Sequence, residues 1–138
     1  MYFDRMADAA AAGAVAEHPA ARAISYLHEI SPELRGCAIF AANGELLAAS
    51  GEGEGDATRW ATRGRDFLAA ADGAGSEPVS HAHVATADGE AFCVRDGELA
   101  AVAVTNRFAL ASLMVFDLRT VLRDLAAGKE PRAEGAAS

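Results

Sequence analysis

The chain contains 138 residues, a length typical of one domain, and it carries 20 acidic residues against 12 Lys and Arg, for a formal net charge of −8. A nucleic-acid partner requires a basic surface, and a polybasic membrane anchor requires clustered Lys and Arg, so the composition argues against both kinds of partner. No run of about 18 apolar residues is present, so we expect no transmembrane helix. We therefore predict a cytoplasmic protein.

Alanine accounts for much of the apolar content. The sequence has 35 Ala, whereas Leu, Ile, Val and Phe together number 28. We therefore expect a thin core in which helices and strands pack closely. The two cysteines, Cys37 and Cys93, each lie within a short apolar run and form no CxxC motif. They are interpreted as small core residues rather than as a disulfide or a nucleophile.

The N-terminal part of the chain favours helix. Residues 1–18 are rich in alanine, the residue with the highest helix propensity, and they predict a helical appendage. Pro19 suits the first position of a further helix, and larger apolar residues at helical spacing extend that helix to residue 30. Residues 19–127 form the predicted domain, and the small, polar residues 128–138 predict a disordered tail.

Three turn signals divide much of the remaining chain into strands. Asn43-Gly44 separates two short apolar runs, and Asp88-Gly89 and Asp96-Gly97 separate three more. This pattern predicts a two-stranded hairpin and a three-stranded meander, and we expect positive φ at both residues of each turn. The predicted order is helix, two strands, helix, three strands, helix. That order is typical of an α+β fold with one antiparallel sheet.

The predicted middle helix, from residue 57 to residue 72, carries a stripe of small residues. Trp60 and Phe67 favour burial in the core, and Gly64 between them costs about 1 kcal/mol relative to alanine in mid-helix. A close contact with the sheet or with another helix would offset that cost. Three arginines predict a basic outer face, which is either a solvated face or a contact for an acidic partner; they are Arg59, Arg63 and Arg65.

No catalytic motif stands out in the sequence. The Gly-rich segment 51–56 lacks the Lys and Ser/Thr of a phosphate-binding loop and holds three acids that would repel phosphate, which indicates a solvated loop. His81 and His83 lie two residues apart and therefore point to one face of a strand. They are either half-exposed polar residues on an edge strand or the start of a metal or pH-sensitive site. We expect no enzyme activity, no cofactor and no metal.

The order of elements and one string of residues resemble a known family. Residues 35–50, RGCAIFAANGELLAAS, are similar to the first hairpin of the roadblock / dynein light chain family of small regulatory domains. The resemblance implies a five-stranded sheet in the order 2-1-5-4-3, with the middle helix on one face and the terminal helices on the other, a profilin-like sandwich. It also implies a non-enzymatic regulator or scaffold that acts as a homodimer, or with a paralogue, on a small Ras-like GTPase.

The resemblance further implies where partners bind. In the implied dimer the edge strands pair across a two-fold and the middle helices lie side by side. The implied interface comprises Ala57, Ala61, Gly64, Leu68, His81 and His83. The implied GTPase-facing residues are Arg59, Arg63, Asp66 and Ala70. The alternative is a small-ligand sensor of the PAS or GAF type, which also uses a five-stranded antiparallel sheet, but a thin core argues against the large pocket that a sensor needs.

Overall fold

The computed structural model describes residues 18–52 and 56–129, and within these ranges it contains three helices and five strands in the predicted order. They are α1 Pro19–Ile30, β1 Leu34–Ala41, β2 Leu46–Gly51, α2 Asp56–Asp72, β3 His81–Ala85, β4 Glu90–Asp96, β5 Leu99–Thr105 and α3 Ala111–Ala126. Residues 1–17 of the predicted appendage and residues 130–138 of the predicted tail lie outside the described residues. None of the described helices is both long and apolar enough to span a bilayer.

The five strands form one antiparallel sheet in the order β2-β1-β5-β4-β3, which confirms the predicted topology. β1 and β5 lie next to each other at the centre, and their pairing runs from Leu34 opposite Thr105 to Ala41 opposite Leu99. β3 forms one edge of the sheet. As expected, α2 packs on one face of the sheet, and α1 and α3 pack on the opposite face.

The turns between the strands differ from the predicted geometry. Gly44 and Gly97 adopt positive φ, at 86° and 60°, but the asparagine or aspartate before each glycine does not. A bulge in the β1–β2 ladder lets one left-handed residue close the first of these turns. At the remaining turn the Thr86 hydroxyl accepts a hydrogen bond from the Gly89 N–H, and Gly89 is needed because a Cβ there would overlap the backbone of Thr105. The prediction of positive φ at both turn residues is therefore wrong.

The face covered by α1 and α3 holds the larger part of the core. Its fully buried side chains include Ile24, Leu27, Cys37, Ile39, Phe92, Val94, Met114, Leu118 and Leu122. Cys93 belongs to the cluster on the opposite face, so the sheet separates the two thiols and they remain free. Burial raises the pKa of Cys37 to about 12, which keeps this thiol protonated and unreactive at neutral pH. Both cysteines are core residues, as their apolar surroundings indicated.

Helix α2 lies close to the other face because two glycines underlie it. Gly36 of β1 and Gly51 of β2 pair across the ladder, and the indole of Trp60 lies over both, where a Cβ on either glycine would overlap the ring. The indole Nε1–H donates to the carbonyl oxygen of Glu52 at 3.0 Å, and Arg35 Nε donates to the Glu52 carboxylate at 2.8 Å. Trp60 therefore fixes the first half of α2 against β1 and β2.

The substitution Gly36→Ala tests this contact. We expect it to lower the free energy of unfolding by about 1–3 kcal/mol, the usual cost of an overpacked core, because the new methyl group meets the Trp60 ring. Urea denaturation followed by tryptophan fluorescence measures the change. The control Gly75→Ala adds a methyl group to open space and should shift stability by no more than about 0.5 kcal/mol. Equal unfolding free energies for Gly36→Ala and the control would contradict the contact.

Candidate interaction surfaces

The small residues of α2 face the sheet of their own chain. Ala61, Gly64 and Leu68 are buried, and a Cβ on Gly64 would lie 2.9 Å from the ring of Phe40. Ala57 is half-buried near the start of the helix. Gly64 predicted a close contact with either the sheet or another helix, and the structure shows the contact with the sheet. The three buried residues have almost no surface left for a second chain, because they pack against small and apolar side chains of β1 and β5.

The opposite side of α2 faces solvent and carries the predicted partner residues. All four are exposed and recur every three or four positions, so they share one side of the helix; they are Arg59, Arg63, Asp66 and Ala70. The guanidinium groups of Arg59 and Arg63 lie 5.9 and 5.3 Å from the centroid of the Trp60 ring. Arg65 lies elsewhere on the helix, 5.5 Å from the ring of Phe40. The predicted face of three arginines therefore contains two.

The two histidines lie on the edge strand β3, on the sheet face that α3 also covers. His83 is engaged within the chain, because its Nε2 lies 2.6 Å from Glu90 Oε1 and its ring stacks on Phe92 with the centroids 4.4 Å apart. His81 is exposed. Across residues 18–52 and 56–129, no group of three His, Cys, Asp or Glu side chains is placed to hold a metal ion. The geometry gives His83 a role in joining two strands.

Glu90 joins three segments of the chain, a role that was not predicted. One carboxylate oxygen meets His83 of β3, and the other accepts a hydrogen bond at 2.7 Å from the Ala109 N–H, in the loop before α3. The hydrogen bond with His83 holds the pKa of Glu90 below its ordinary value, with help from the N–H groups of Ala109 and Phe108 and against the opposing effect of burial. Glu90 therefore fixes the loop that leads into α3.

An ion pair fastens the far end of α2. Arg95 donates two hydrogen bonds to the Asp72 carboxylate, at 2.9 and 3.1 Å, and one to the carbonyl oxygen of Val79 at 2.8 Å. The Val79 N–H donates in turn to Asp72 at 2.9 Å. These bonds, chiefly the one from Arg95, hold the pKa of Asp72 below its ordinary value. The pair connects α2 to β4 and to the segment that leads into β3. It therefore fixes the position of the outer side of α2 relative to the β3 edge.

The outer edge of β3 presents backbone hydrogen-bonding groups. In the ladder with β4, the Thr86 N–H donates to the carbonyl oxygen of Gly89 at 2.8 Å. Hydrogen-bonded positions alternate along an antiparallel strand, so the residue directly before Thr86, and every second residue before that one, directs its N–H and C=O away from β4. These outward groups belong to His81, His83 and Ala85. The exposed side chain of Val84 adds an apolar group to the same edge.

Two grooves on the described surface have the volume of a small-molecule site. One of about 400 Å³ lies between the start of α1 and the end of α3, and one of about 530 Å³ lies between the hairpin turns and the end of α2. Both open to solvent and are lined in part by charged side chains, which in the larger groove include the paired Arg95 and Asp72. Neither is the enclosed apolar pocket that the sensor alternative needs.

Comparisons with known proteins agree with the observed fold. No protein-family model and no curated protein matches the sequence. Among solved structures, the chain is similar to a Roadblock/LC7 domain from Streptomyces avermitilis, at 13% identity and a TM-score of 0.55, over 70% of this chain and 86% of that one. It is also similar to the gliding protein MglB from Thermus thermophilus, at 18% identity and a TM-score of 0.52, over 79% and 89% of the two chains. An MglB with a tetrameric arrangement gives 18% identity and a TM-score of 0.53, over 79% and 88%. The chain therefore has a roadblock-like fold, as its first hairpin implied.

The lowered pKa of Glu90 predicts that its contribution to stability is lost in acid. The contribution is present above the ordinary value near 4.5, where an unfolded chain titrates, and it disappears as the pH falls through the lower folded-state pKa. We expect Glu90→Gln to lower the free energy of unfolding at neutral pH, and the difference from wild type to shrink as the pH falls below about 4.5. Urea denaturation at a series of pH values measures both.

The control for this series is Asp88→Asn, which removes an exposed carboxylate from the adjacent turn. Its difference from wild type should stay small and change little with pH. A gap between wild type and Glu90→Gln that stays constant from neutral to acid pH would contradict the assignment.

Proposed function

We propose that this chain is a non-enzymatic regulatory module that self-associates and binds a small Ras-like GTPase. The similarity to the Roadblock/LC7 domain and to the MglB structures supports a regulatory role, and the MglB with a tetrameric arrangement supports self-association. The observation that carries the proposal is the outer side of α2. Trp60 and Asp72 fasten the helix to the sheet at both ends, so its exposed side is a rigid surface that is open to a partner.

Self-association uses the edge of β3 in this proposal. An unpaired edge strand is a template for another strand, and pairing two copies of β3 about a two-fold would satisfy the outward backbone groups of both. The mate is a second copy or a paralogue. His81 and His83 stay in the proposed interface because both lie on β3. Ala61, Gly64 and Leu68 pack on the sheet of their own chain, so they contribute to this interface only by positioning α2.

The GTPase contact uses the outer side of α2. The chain has a net charge of −8, yet Arg59 and Arg63 present positive charge on this exposed surface, with Asp66 and Ala70 beside them. Such a local reversal of charge suits an acidic patch on a partner, because complementary charge steers association and suppresses wrong partners. Ala70 has only a methyl side chain, which leaves room for a partner to approach the helix backbone closely.

The substitution Ala85→Pro tests the proposed strand pairing. Proline lacks the N–H that Ala85 directs outward, and it is tolerated on an edge strand where that N–H faces solvent. We expect a smaller dimer fraction with an unchanged fold, measured by light scattering on a sizing column and by circular dichroism. Ala85→Thr keeps the N–H and should remain as dimeric as wild type. A fully dimeric Ala85→Pro protein would remove the β3 edge from the interface.

The substitution Arg63→Glu tests the proposed GTPase contact. A Ras-like GTPase from the same genome, loaded with GDP or with a GTP analogue, is titrated with the full chain by calorimetry. We expect Arg63→Glu to weaken binding by about tenfold or more, because it reverses a charge at the contact. Arg65→Glu makes the same change of charge on another side of the helix and should bind nearly as wild type. Equal losses in both variants would mean that net charge, and not this surface, governs the affinity.

A further inference from the structure

An exposed apolar surface lies at the start of α3, on the opposite side of the sheet from α2. Phe108 is 85% exposed and Leu110 is 65% exposed, while Leu113 and Phe116 are 49% and 63% exposed. Leu110 caps the helix, and the other two helical residues follow at intervals of three, so they are neighbours along the first two turns. These four residues are called the α3 surface below.

The exposure of these side chains is costly for a chain with a thin core. The sequence contains only six phenylalanines, and two of them, Phe108 and Phe116, lie in the α3 surface. Burial of a side chain of this size stabilises a fold, so the chain forgoes stabilisation by leaving these two exposed. A contiguous group of large apolar side chains in solvent is typical of an interaction site, whereas scattered ones are ordinary.

The loop that presents Phe108 has a fixed conformation. Phe108 adopts a φ of 66°, a left-handed geometry that is rare for a bulky residue. The next residue, Ala109, donates its N–H to Glu90, and Glu90 is itself bound to His83. The Arg107 guanidinium lies 4.6 Å from the centroid of the Phe108 ring. The Glu90 network therefore fixes the backbone that carries Phe108, which lowers the entropy cost of ordering this loop on binding.

Charges of opposite sign lie on the two sides of the Leu113–Phe116 pair. With 3.6 residues per turn, Asp117 lies about 100° to one side of Phe116 and Arg119 lies about 60° to the other. Burial, and then the charge of Glu33, raise the pKa of Asp117 above its ordinary value. An occupant that complements the surface must therefore be apolar along its centre, acidic on one flank and basic on the other.

A second copy of the chain does not meet this requirement. An antiparallel pair of α3 helices about a two-fold would set Arg119 against Arg119 and Asp117 against Asp117. A parallel pair would bring together two copies of Arg123, which lies about 20° from Phe116 around the helix, each with its guanidinium 3.7 Å from Asp96 of its own chain. Like charges across a contact disfavour association. An anionic membrane is disfavoured as well, since the chain carries a net charge of −8.

We infer that the α3 surface binds an amphipathic helix of another protein, one with an apolar stripe against Leu113 and Phe116, acidic side chains toward Arg119 and basic side chains toward Asp117. This mode of recognition lays the apolar face of a helix on an apolar surface and uses anchors at helical spacing. The inference does not depend on the proposed GTPase, because the α3 surface and the outer side of α2 lie on opposite faces of the sheet.

A designed peptide tests the inference. The probe is a fluorescent helix of about five turns with leucines along one stripe, glutamates along one flank and lysines along the other, titrated with the full chain by anisotropy. Phe116→Ser and Arg119→Glu should each weaken binding by about tenfold or more. Ala69→Ser changes an exposed apolar side chain on α2, on the opposite face of the sheet, and should change the affinity by less than about twofold. A probe with lysines on both flanks should bind Arg119→Glu better than it binds wild type.

Circular dichroism of Phe116→Ser should match wild type, because this side chain is exposed. Equal binding of a scrambled peptide without an apolar stripe would overturn the inference, as would equal losses in Ala69→Ser and Phe116→Ser. A lower solution mass of Phe116→Ser would assign the surface to a second copy instead. Binding to phosphatidylglycerol vesicles that Phe116→Ser abolishes would assign it to a membrane and would overturn the inference too.

Discussion

The position of α2 on the sheet depends on one contact, in which the Trp60 indole packs on two paired glycines. Because Gly36 and Gly51 have no side chains, the ring lies directly on the backbone of β1 and β2. Gly64, one turn further along α2, lets the helix come down on Phe40. An ion pair then fastens the last turn. A helix held at its start, middle and end has a single free side, and its outer residues therefore form one defined surface.

The fold could be predicted largely from local pattern, because apolar spacing and turn residues report local geometry. Residues 35–50 were enough to indicate the roadblock-like hairpin, and the three X-Gly pairs marked the three hairpin turns. The turn conformations could not be predicted in the same way. A bulge after Ile39 and the hydroxyl of Thr86 decide how two of the turns close. Both depend on the register between strands, which a dipeptide signal does not contain.

The candidate surfaces could be predicted only in part. The exposed side of α2 follows from helical spacing once its buried side is known. Helical spacing does not reveal what packs against the small-residue stripe, because Gly64 permits close approach of a sheet as readily as of a helix. Glu90 gave no signal at all, since His83 and Ala109 are distant from each other in sequence. They meet at one carboxylate only when the β3–β4 ladder and the loop before α3 have formed.

A core built from alanine makes the placement of each large side chain informative. On α2 the large residue Trp60 turns inward and charged residues turn outward, which suits a contact governed by charge. On α3 the buried stripe around Leu118 is complete, yet further large residues such as Phe116 turn outward, which suits a contact governed by burial. The two surfaces differ in chemistry and lie on opposite faces of one sheet. A partner on one face would therefore not obstruct a partner on the other, so the two proposals are compatible with each other.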